Sequence, residues 1–287
     1  MSYLVVANRN AGTAARDVVE EACRALGAEQ VATGDAAEID EAIDALDGRV
    51  LVVAGGDGSL HAVVDRLWQR GLLGQVELGL LPLGTGNDLA RGLGLPLDPL
   101  EAAEVVLAGT VKPLDLLVDD AGGVVVNAVH AGLGAEAADR SEGMKDRLGK
   151  LAYPLGALIA AVRESGWDVR VSVDGADLPV EGPVLLVGVG NGPSIGGGTV
   201  LCPSARFDDG RLDVVVSTSV GAAARIAFGQ ALRKGEHLER DDVVTATGTE
   251  VRISGEPVRY DADGEVSDEV TDRTYRVVRA AWKLRTA

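Results

Sequence analysis

A chain of 287 residues with 46% hydrophobic and 25% charged side chains is large enough for about two packed domains. Its net charge of −17 argues against nucleic acid as a partner, which needs a basic surface, and against tight global adsorption to an anionic membrane. Cys23 and Cys202 are too few for a disulfide framework and fit a reducing cytosol; the apolar start Tyr3–Ala7 is too short for a signal peptide, and no run approaches the ~18 apolar residues needed to span a bilayer.

In chain order the first part alternates. Tyr3–Ala7 reads as a strand and Ala14–Leu26 as a helix with Val18, Val19, Ala22 and Leu26 on one face. Gln30–Thr33 is a short strand, Ala37–Leu46 a helix and Val50–Ala54 a strand. Leu60–Arg70 sets Leu60, Val63, Val64 and Leu67 at helical spacing. Glu77–Leu83 follows as a strand and Leu100–Ala108 as a helix. This alternation predicts an α/β domain with a doubly wound, mostly parallel sheet. After Thr110 strands come in succession, at Leu114–Val118, Val124–Val129, Val169–Val173, Pro183–Val189, Leu212–Val216, Val251–Ile253 and Tyr275–Arg279. Helical segments interrupt them near Asp146–Glu164 and Ala222–Lys234. The expectation is a C-terminal antiparallel β-rich sandwich, with domains at 1–110 and 111–287, the last residues free to return to the first domain, and a ligand cleft between the two.

Two glycine-punctuated loops carry the chemistry. Gly55-Gly56-Asp57-Gly58-Ser59 follows a buried strand and precedes a helix. Glycine permits positive φ and close approach to a ligand, and a strand-to-helix turn aims N–H groups at an anion. Asp57 would repel a phosphate, so it points to a metal ion or an oriented phosphoryl acceptor, or else only caps the helix. Gly84-Thr85-Gly86-Asn87-Asp88 follows the strand Leu78–Leu83, with Asp88 placed to cap a short helix. Both loops should lie at the carboxyl edge of one parallel sheet, where such sheets bind ligands. There is no Gly-x-x-x-x-Gly-Lys-Ser/Thr run and no kinase-type lysine strand, which sets aside P-loop enzymes and protein kinases. The expected phosphate cradle is Gly55, Gly56, Gly58 and Ser59, with nucleotide contacts from Asn8, Thr33, Thr85 and Asn87.

These loops resemble the paired signatures of the diacylglycerol kinase catalytic fold, in its soluble bacterial lipid-kinase branch, related to sphingosine and ceramide kinases and more distantly to NAD kinases. Asn8–Gly12 is similar to the family's opening Asn-Pro-x-Ser-Gly turn. Asn191-Gly192, Gly196-Gly197-Gly198, Pro203, Asp208-Asp209-Gly210 and Leu212-Asp213 resemble its second-domain pattern, and Asp263-Gly264-Glu265 its late Asp-Gly-Glu. The resemblance implies transfer of the γ-phosphate of ATP to a lipid hydroxyl, diacylglycerol first among candidates, with Mg²⁺ as cofactor. It assigns Asp57 to the catalytic metal and acceptor network, Asp263 as the base, Glu265 to the nucleotide site and Asp209 to a structural Mg²⁺. As residues alone, the last two turns would be plain hairpin corners. The alternatives are an NAD kinase-like small-molecule kinase and a catalytically weak nucleotide- or lipid-binding protein.

The partner implied is a lipid at the membrane surface, met by a cytoplasmic protein that docks transiently at the inner face; a homodimer is compatible with the sequence but not required by it. Docking an acidic protein would need a local basic patch, and Arg140, Lys145, Arg147 and Lys150, or Arg225, Arg233 and Lys234, are the candidates. His61 is expected on a helix surface, His130 in the core and His237 in a charged loop. Departures from the family pattern are Arg9 for proline, Ala11 for serine, Ser59 for threonine, and His61-Ala62 where Asn-Glu is usual.

Overall fold

The computed structural model describes residues 2–9, 12–132 and 166–287. The helix expected near 146–164 and the basic cluster at 140–150 lie outside the described residues. The first part of the chain runs β1 (Tyr3–Asn8), α1 (Thr13–Leu26), β2 (Glu29–Thr33), α2 (Ala36–Asp44), β3 (Val50–Gly55), α3 (Asp57–Gln69), β4 (Glu77–Pro82), α4 (Asp88–Leu93) and α5 (Pro99–Ala108). There follow β5 (Thr110–Asp119), β6 (Val124–Val125), β7 (Ala128–Gly132), β8 (Val169–Val173), β9 (Ala176–Asp177), β10 (Leu186–Gly190), β11 (Ser194–Ile195), β12 (Thr199–Val200) and β13 (Leu212–Ser217). The chain ends with α6 (Ala222–Lys234), β14 (Val243–Gly248), β15 (Glu250–Val258), β16 (Tyr260–Ala262), β17 (Glu265–Val266) and β18 (Val270–Thr286).

Strands β2, β1, β3 and β4 pair in that order, all parallel. Both faces of β1, β3 and β4 are buried, which is why they read as continuous apolar runs, whereas the edge strand β2 is mostly exposed. Leu4, Val6, Leu51 and Val53 point to one side and pack with α2 and α3 residues such as Ile39, Ile43, Val64 and Leu67. Val5, Ala7, Val52 and Ala54 point to the other and pack with Val19, Ala22, Ala103 and Val106 of α1 and α5. The second sheet, β14-β13-β10-β7-β16-β17, is antiparallel throughout. A third core, built from Val129, Val187, Val214, Val251, Ile253, Tyr275 and their neighbours, lies between it and the β8–β15–β18 end of the first sheet. The mostly parallel α/β domain and the antiparallel β-rich sandwich are thus both present.

The last strand ties them together. Lys283 and Leu284 of β18 pair in parallel with Glu77 and Leu78 of β4. The same strand pairs antiparallel with β5 and β15, so one mixed sheet runs through both halves. Between Val278 and Trp282 the β5–β18 register shifts, and Ala280 there takes a left-handed φ of 48°. That bulge turns the Ala280 N–H onto the buried Asp115 carboxylate at 2.8 Å, while Trp282 Nε1 donates to Asp115 O at 3.0 Å. Asp115 also accepts from Gly210 N–H at 2.6 Å, so one buried carboxylate joins β5, β18 and the 206–210 turn.

Candidate active site

The first glycine motif is shorter as a loop than its sequence suggests. Helix α3 already starts at Asp57, with Gly56 as its N-cap residue and Gly58 and Ser59 in its first turn. Gly56 has φ −92°, and no glycine of either motif adopts positive φ. The glycines serve clearance instead. A Cβ on Gly56 would lie 2.8 Å from Gly84 Cα, and one on Gly84 would lie 2.6 Å from Gly56 Cα, so the two loops pack backbone to backbone. A Cβ on Gly55 would meet Ser59 Cβ at 2.4 Å. A Cβ on Gly58 meets nothing within 4 Å, so that glycine faces open space.

Beside Gly58 opens a cleft of about 330 Å³, lined by Asn8, Thr33, Gly34, Asp35, Gly58, Ser59, His61, Ala62, Arg66 and Glu265 among others. Five residues expected from the sequence to touch nucleotide, Asn8, Thr33, Gly58, Ser59 and Glu265, therefore share one cavity at the N-terminal end of α3. The exposed amides of the first helical turn and the helix dipole make this end favourable for phosphate. Gly55, Gly56, Thr85 and Asn87 do not line it. Asn87 folds back on its own loop: its side-chain amide donates to Gly84 O at 2.8 Å and its Oδ1 accepts from Gly84 N–H at 3.0 Å, with φ at 53°. The side chain is committed to shaping its own loop. Thr85 is exposed at the tip of that loop.

Clearance yields a paired prediction. Gly84→Ala should destabilise the protein by about 1–3 kcal/mol, because backbone cannot yield as a side chain can. Gly58→Ala should leave the melting temperature near wild type yet weaken ATP binding about tenfold or more, because only an incoming phosphate needs that space. Thermal melts and calorimetry on the two variants check both halves.

Asp57 and Asp88 face each other across the loops. Burial first, and then the charge of Asp88, push the Asp57 carboxyl up from its ordinary range. Leu89 N–H reaches Asp57 Oδ1 only at 3.4 Å, and Asp57 Oδ2 would lie 2.8 Å from a Cβ on Gly86. The backbone N–H groups of Asn87, Asp88 and Leu89 partly offset the upward push, and a carboxylate repelled by a neighbour beside the glycine helix is one that could hold a divalent cation. Asp88 does not cap α4, whose N-cap is Asn87. It is buried and accepts from Ser194 Oγ at 2.9 Å, Gly197 N–H at 2.8 Å and Gly198 N–H at 2.7 Å. The second-domain glycine loop is thus fastened to the second glycine motif. Sequence reasoning missed this clasp, since its partners lie more than a hundred residues apart.

Asp263 does come to the glycine helix. Its side chain is 0% exposed. Oδ2 accepts from Val126 N–H at 2.5 Å, and Oδ1 accepts from Asn127 N–H at 2.9 Å and Ala128 N–H at 3.1 Å. His61 Nδ1 lies 3.0 Å from Oδ2. These four donors fix the Asp263 carboxylate where the late turn meets the start of β7 and α3. His61 is correspondingly not a helix-surface residue: it is 6% exposed and bridges to the second domain. Burial pulls its pKa down, but the hydrogen bond and charge of Asp263, aided by Glu265 and Asp65, outweigh this and raise it above the usual 6.5. A histidine raised in the folded state stabilises below its unfolded pKa and loses that contribution as pH rises through the folded value. The melting-temperature advantage of wild type over His61→Gln should therefore be larger at pH 6 than at pH 8.5.

Residues 2–118 match the model described as the diacylglycerol kinase catalytic domain, and residues 127–284 that of the YegS C-terminal NAD kinase beta sandwich-like domain. The chain belongs to the YegS-like lipid kinase family. It is 35% identical over 255 residues to a Stenotrophomonas maltophilia protein named "Probable lipid kinase YegS-like", covering 86% of this chain and 79% of that one. A Pseudomonas aeruginosa protein of the same name is 38% identical over 234 residues, covering 78% and 76%. The crystal structure of a diacylglycerol kinase from Bacillus anthracis superposes with a TM-score of 0.76 at 24% identity, covering 100% of this chain and 97% of that one, which shows a shared fold.

Within this YegS-like chain, Asp209, expected by resemblance to hold a structural Mg²⁺, lies in the turn before β13. Its Oδ1 accepts from Arg211 N–H at 2.9 Å, closing a local turn, and the Arg279 guanidinium reaches its carbonyl at 3.4 Å. Asp208 pairs with Lys112 at 2.8 Å and Arg206 at 3.7 Å. Asp213, raised by burial and by Asp209, accepts from Thr247 Oγ1 at 2.9 Å. Among the described residues no group of three or more His, Cys, Asp or Glu converges as a metal site.

The remaining expectations divide. His130 is core, with burial lowering its pKa. His237 lies in the charged connection between α6 and β14 as expected, yet its side chain is fully buried, its Nε2 2.8 Å from Leu201 O and its ring edge-on to Phe228. Arg225 is buried, which leaves Arg233 and Lys234 as the exposed cations of α6.

Proposed function

We propose that this protein is a lipid kinase transferring the γ-phosphate of ATP to a lipid hydroxyl, with diacylglycerol the foremost candidate and Mg²⁺ as cofactor. The observation that carries the reading is the cleft in which Asn8, Thr33 and the open first turn of α3 face Glu265 from the second domain. Phosphoryl transfer asks mainly for positioning and charge neutralisation, and these parts supply both. Gly58 and Ser59 cradle phosphate, Asn8 and Thr33 hold the rest of the nucleotide, and Asp57 holds the cation. Bound there, Mg²⁺ would offset the charge that builds on the transferring phosphoryl group. Asp88 keeps the second glycine motif and the 196–198 loop in register beside Asp57.

The acceptor is lipid by family membership. Among the described residues no helix is long and apolar enough to cross a membrane. A protein of net charge −17 would therefore meet its substrate by peripheral docking at the inner membrane face, with local cations such as Arg233 and Lys234 at the contact. Ala62 lines the cleft where the family resemblance has Glu, which favours a second reading in which nucleotide is held weakly and turnover is slow. An assay of ATP turnover with diacylglycerol in mixed micelles, with NAD, and with no acceptor separates the readings. Transfer to the lipid alone supports the kinase proposed here, and transfer to NAD alone or to neither acceptor contradicts it.

A further inference from the structure

The charge of this chain is unevenly spread. Of its 287 residues 44 are Asp or Glu, yet none falls between Glu181 and Asp208 or between Asp213 and Glu236. The buried strands β10 and β13 account for part of each stretch. The remainder is the β11–β12 hairpin, the residues that follow it, and α6. These pieces meet, because β12 packs on α6. Helix α6 turns Arg225, Phe228, Gly229 and Leu232 inward. Ala222, Ala223, Ile226, Gln230, Arg233 and Lys234 are exposed along its other side, at helical spacing. Ile226 is 61% exposed, more than any other large apolar side chain among the described residues, and Val200 of β12 is 39% exposed. Cations suit the negative end of a helix, which by itself would explain Arg233 and Lys234. A helix end does not call for an isoleucine in water, nor for the loss of every carboxylate from two stretches of an acidic chain.

We propose that the face formed by α6 and β12 is the surface on which the protein docks to an anionic phospholipid bilayer; this deepens the lipid-kinase reading above and rests on it. A chain of net charge −17 is repelled by such a layer unless one face is spared its carboxylates. The two acid-free stretches spare this one. Arg233 and Lys234 are drawn to the headgroups, and Glu236, 3.8 Å from Lys234, is the first acid to reappear. Ile226 and Val200 supply the apolar part, a shallow insertion at the boundary of headgroups and acyl chains. A second copy of the chain fits the face less well, because a two-fold contact would set Arg233 and Lys234 of both copies against each other. The face also leads to the site. Gly197 and Gly198, just before β12, donate their N–H groups to Asp88 at 2.8 and 2.7 Å. A Cβ on Gly86 would lie 3.3 Å from Gly197 Cα and 2.8 Å from Asp57 Oδ2. The hairpin that meets the bilayer is thus the one that packs on the second glycine motif beside Asp57.

The test is co-sedimentation with vesicles of phosphatidylcholine, pure or mixed with phosphatidylglycerol, on wild type, Ile226→Asp and the double variant Arg233→Gln/Lys234→Gln. All three side chains are exposed, so both variants should melt as wild type does. Wild type should bind the mixed vesicles, bind pure phosphatidylcholine far less, and come off at high salt. Each variant should bind the mixed vesicles about tenfold more weakly or worse. Ile226→Asp should turn over a short-chain diacylglycerol dissolved as monomers within about twofold of wild type, yet lose about tenfold or more on long-chain diacylglycerol held in the mixed vesicles. Wild type that ignores the mixed vesicles, or variants that bind them as wild type does, overturn the assignment. A wild-type dimer that Ile226→Asp dissociates in sedimentation equilibrium, with vesicle binding unchanged, makes the face a subunit contact and overturns it equally. Weakened vesicle binding by both variants of a protein that phosphorylates neither diacylglycerol supports the docking face and removes the kinase reading alone.

Discussion

Asp57→Asn should lower kcat for phosphoryl transfer by about 10²–10³-fold while the protein melts at or slightly above the wild-type temperature. The variant keeps the shape of the side chain at the first position of α3 and removes its charge. That charge is costly to the fold, since burial and Asp88 push the carboxyl up from its ordinary range. A carboxyl raised in the folded state favours folding when neutral, so the amide relieves the strain. The same unfavourable pair is what a divalent cation between protein and phosphate would offset. Loss of function with gain of stability is the signature of a residue kept for chemistry. Turnover and melting curves on one preparation decide it: near wild-type turnover would remove Asp57 from the reaction, and a large loss of stability would make it structural.

Asp263→Ala should destabilise the protein by about 3–5 kcal/mol, because it removes a buried anion that four donors share. The three backbone N–H groups at Val126–Ala128 lose their acceptors, and His61 loses the partner that holds it across the domain boundary. As a base alone, Asp263 would be expected to leave ATP binding intact on replacement. Because its carboxylate is also an anchor, ATP affinity and turnover should fall together. Asp263→Asn should lie between, since it keeps one acceptor oxygen and turns an NH₂ toward backbone donors. Denaturation curves that match wild type for the alanine variant would show that the contacts contribute nothing to stability.

The parts of the site legible in the sequence were those carried by local pattern. The alternation through Ala108, the two glycine motifs after strands and the polar strand ends Asn8 and Thr33 each follow from neighbours a few residues away, and the cleft gathers Asn8, Thr33, Gly58 and Ser59. The late Asp-Gly-Glu turn was legible through family resemblance, and Glu265 reaches the same cavity. The misreadings concern contacts made across the fold. His61 looked like a surface histidine because its burial comes from a turn 202 residues away. Asp88 sat at a position where helix capping is common, and no local signal says that Ser194 and Gly197 would claim its carboxylate instead. Asn87 and Asp209, expected to meet ligands, also close turns with their neighbours, as short polar side chains do, which no motif announces. The bulge at Ala280, which lets β18 run through both halves, has no glycine to announce it.

The most direct measurement is transfer of labelled γ-phosphate from ATP to diacylglycerol in mixed micelles with Mg²⁺, run side by side on wild type and Asp57→Asn. The account predicts labelled phosphatidic acid with wild type, none with NAD as acceptor, and about 10²-fold less product or lower with the variant. Wild-type protein that labels no lipid would contradict the assignment of this site to phosphoryl transfer, and a variant that labels it as fast as wild type would contradict the role of Asp57 beside the cleft.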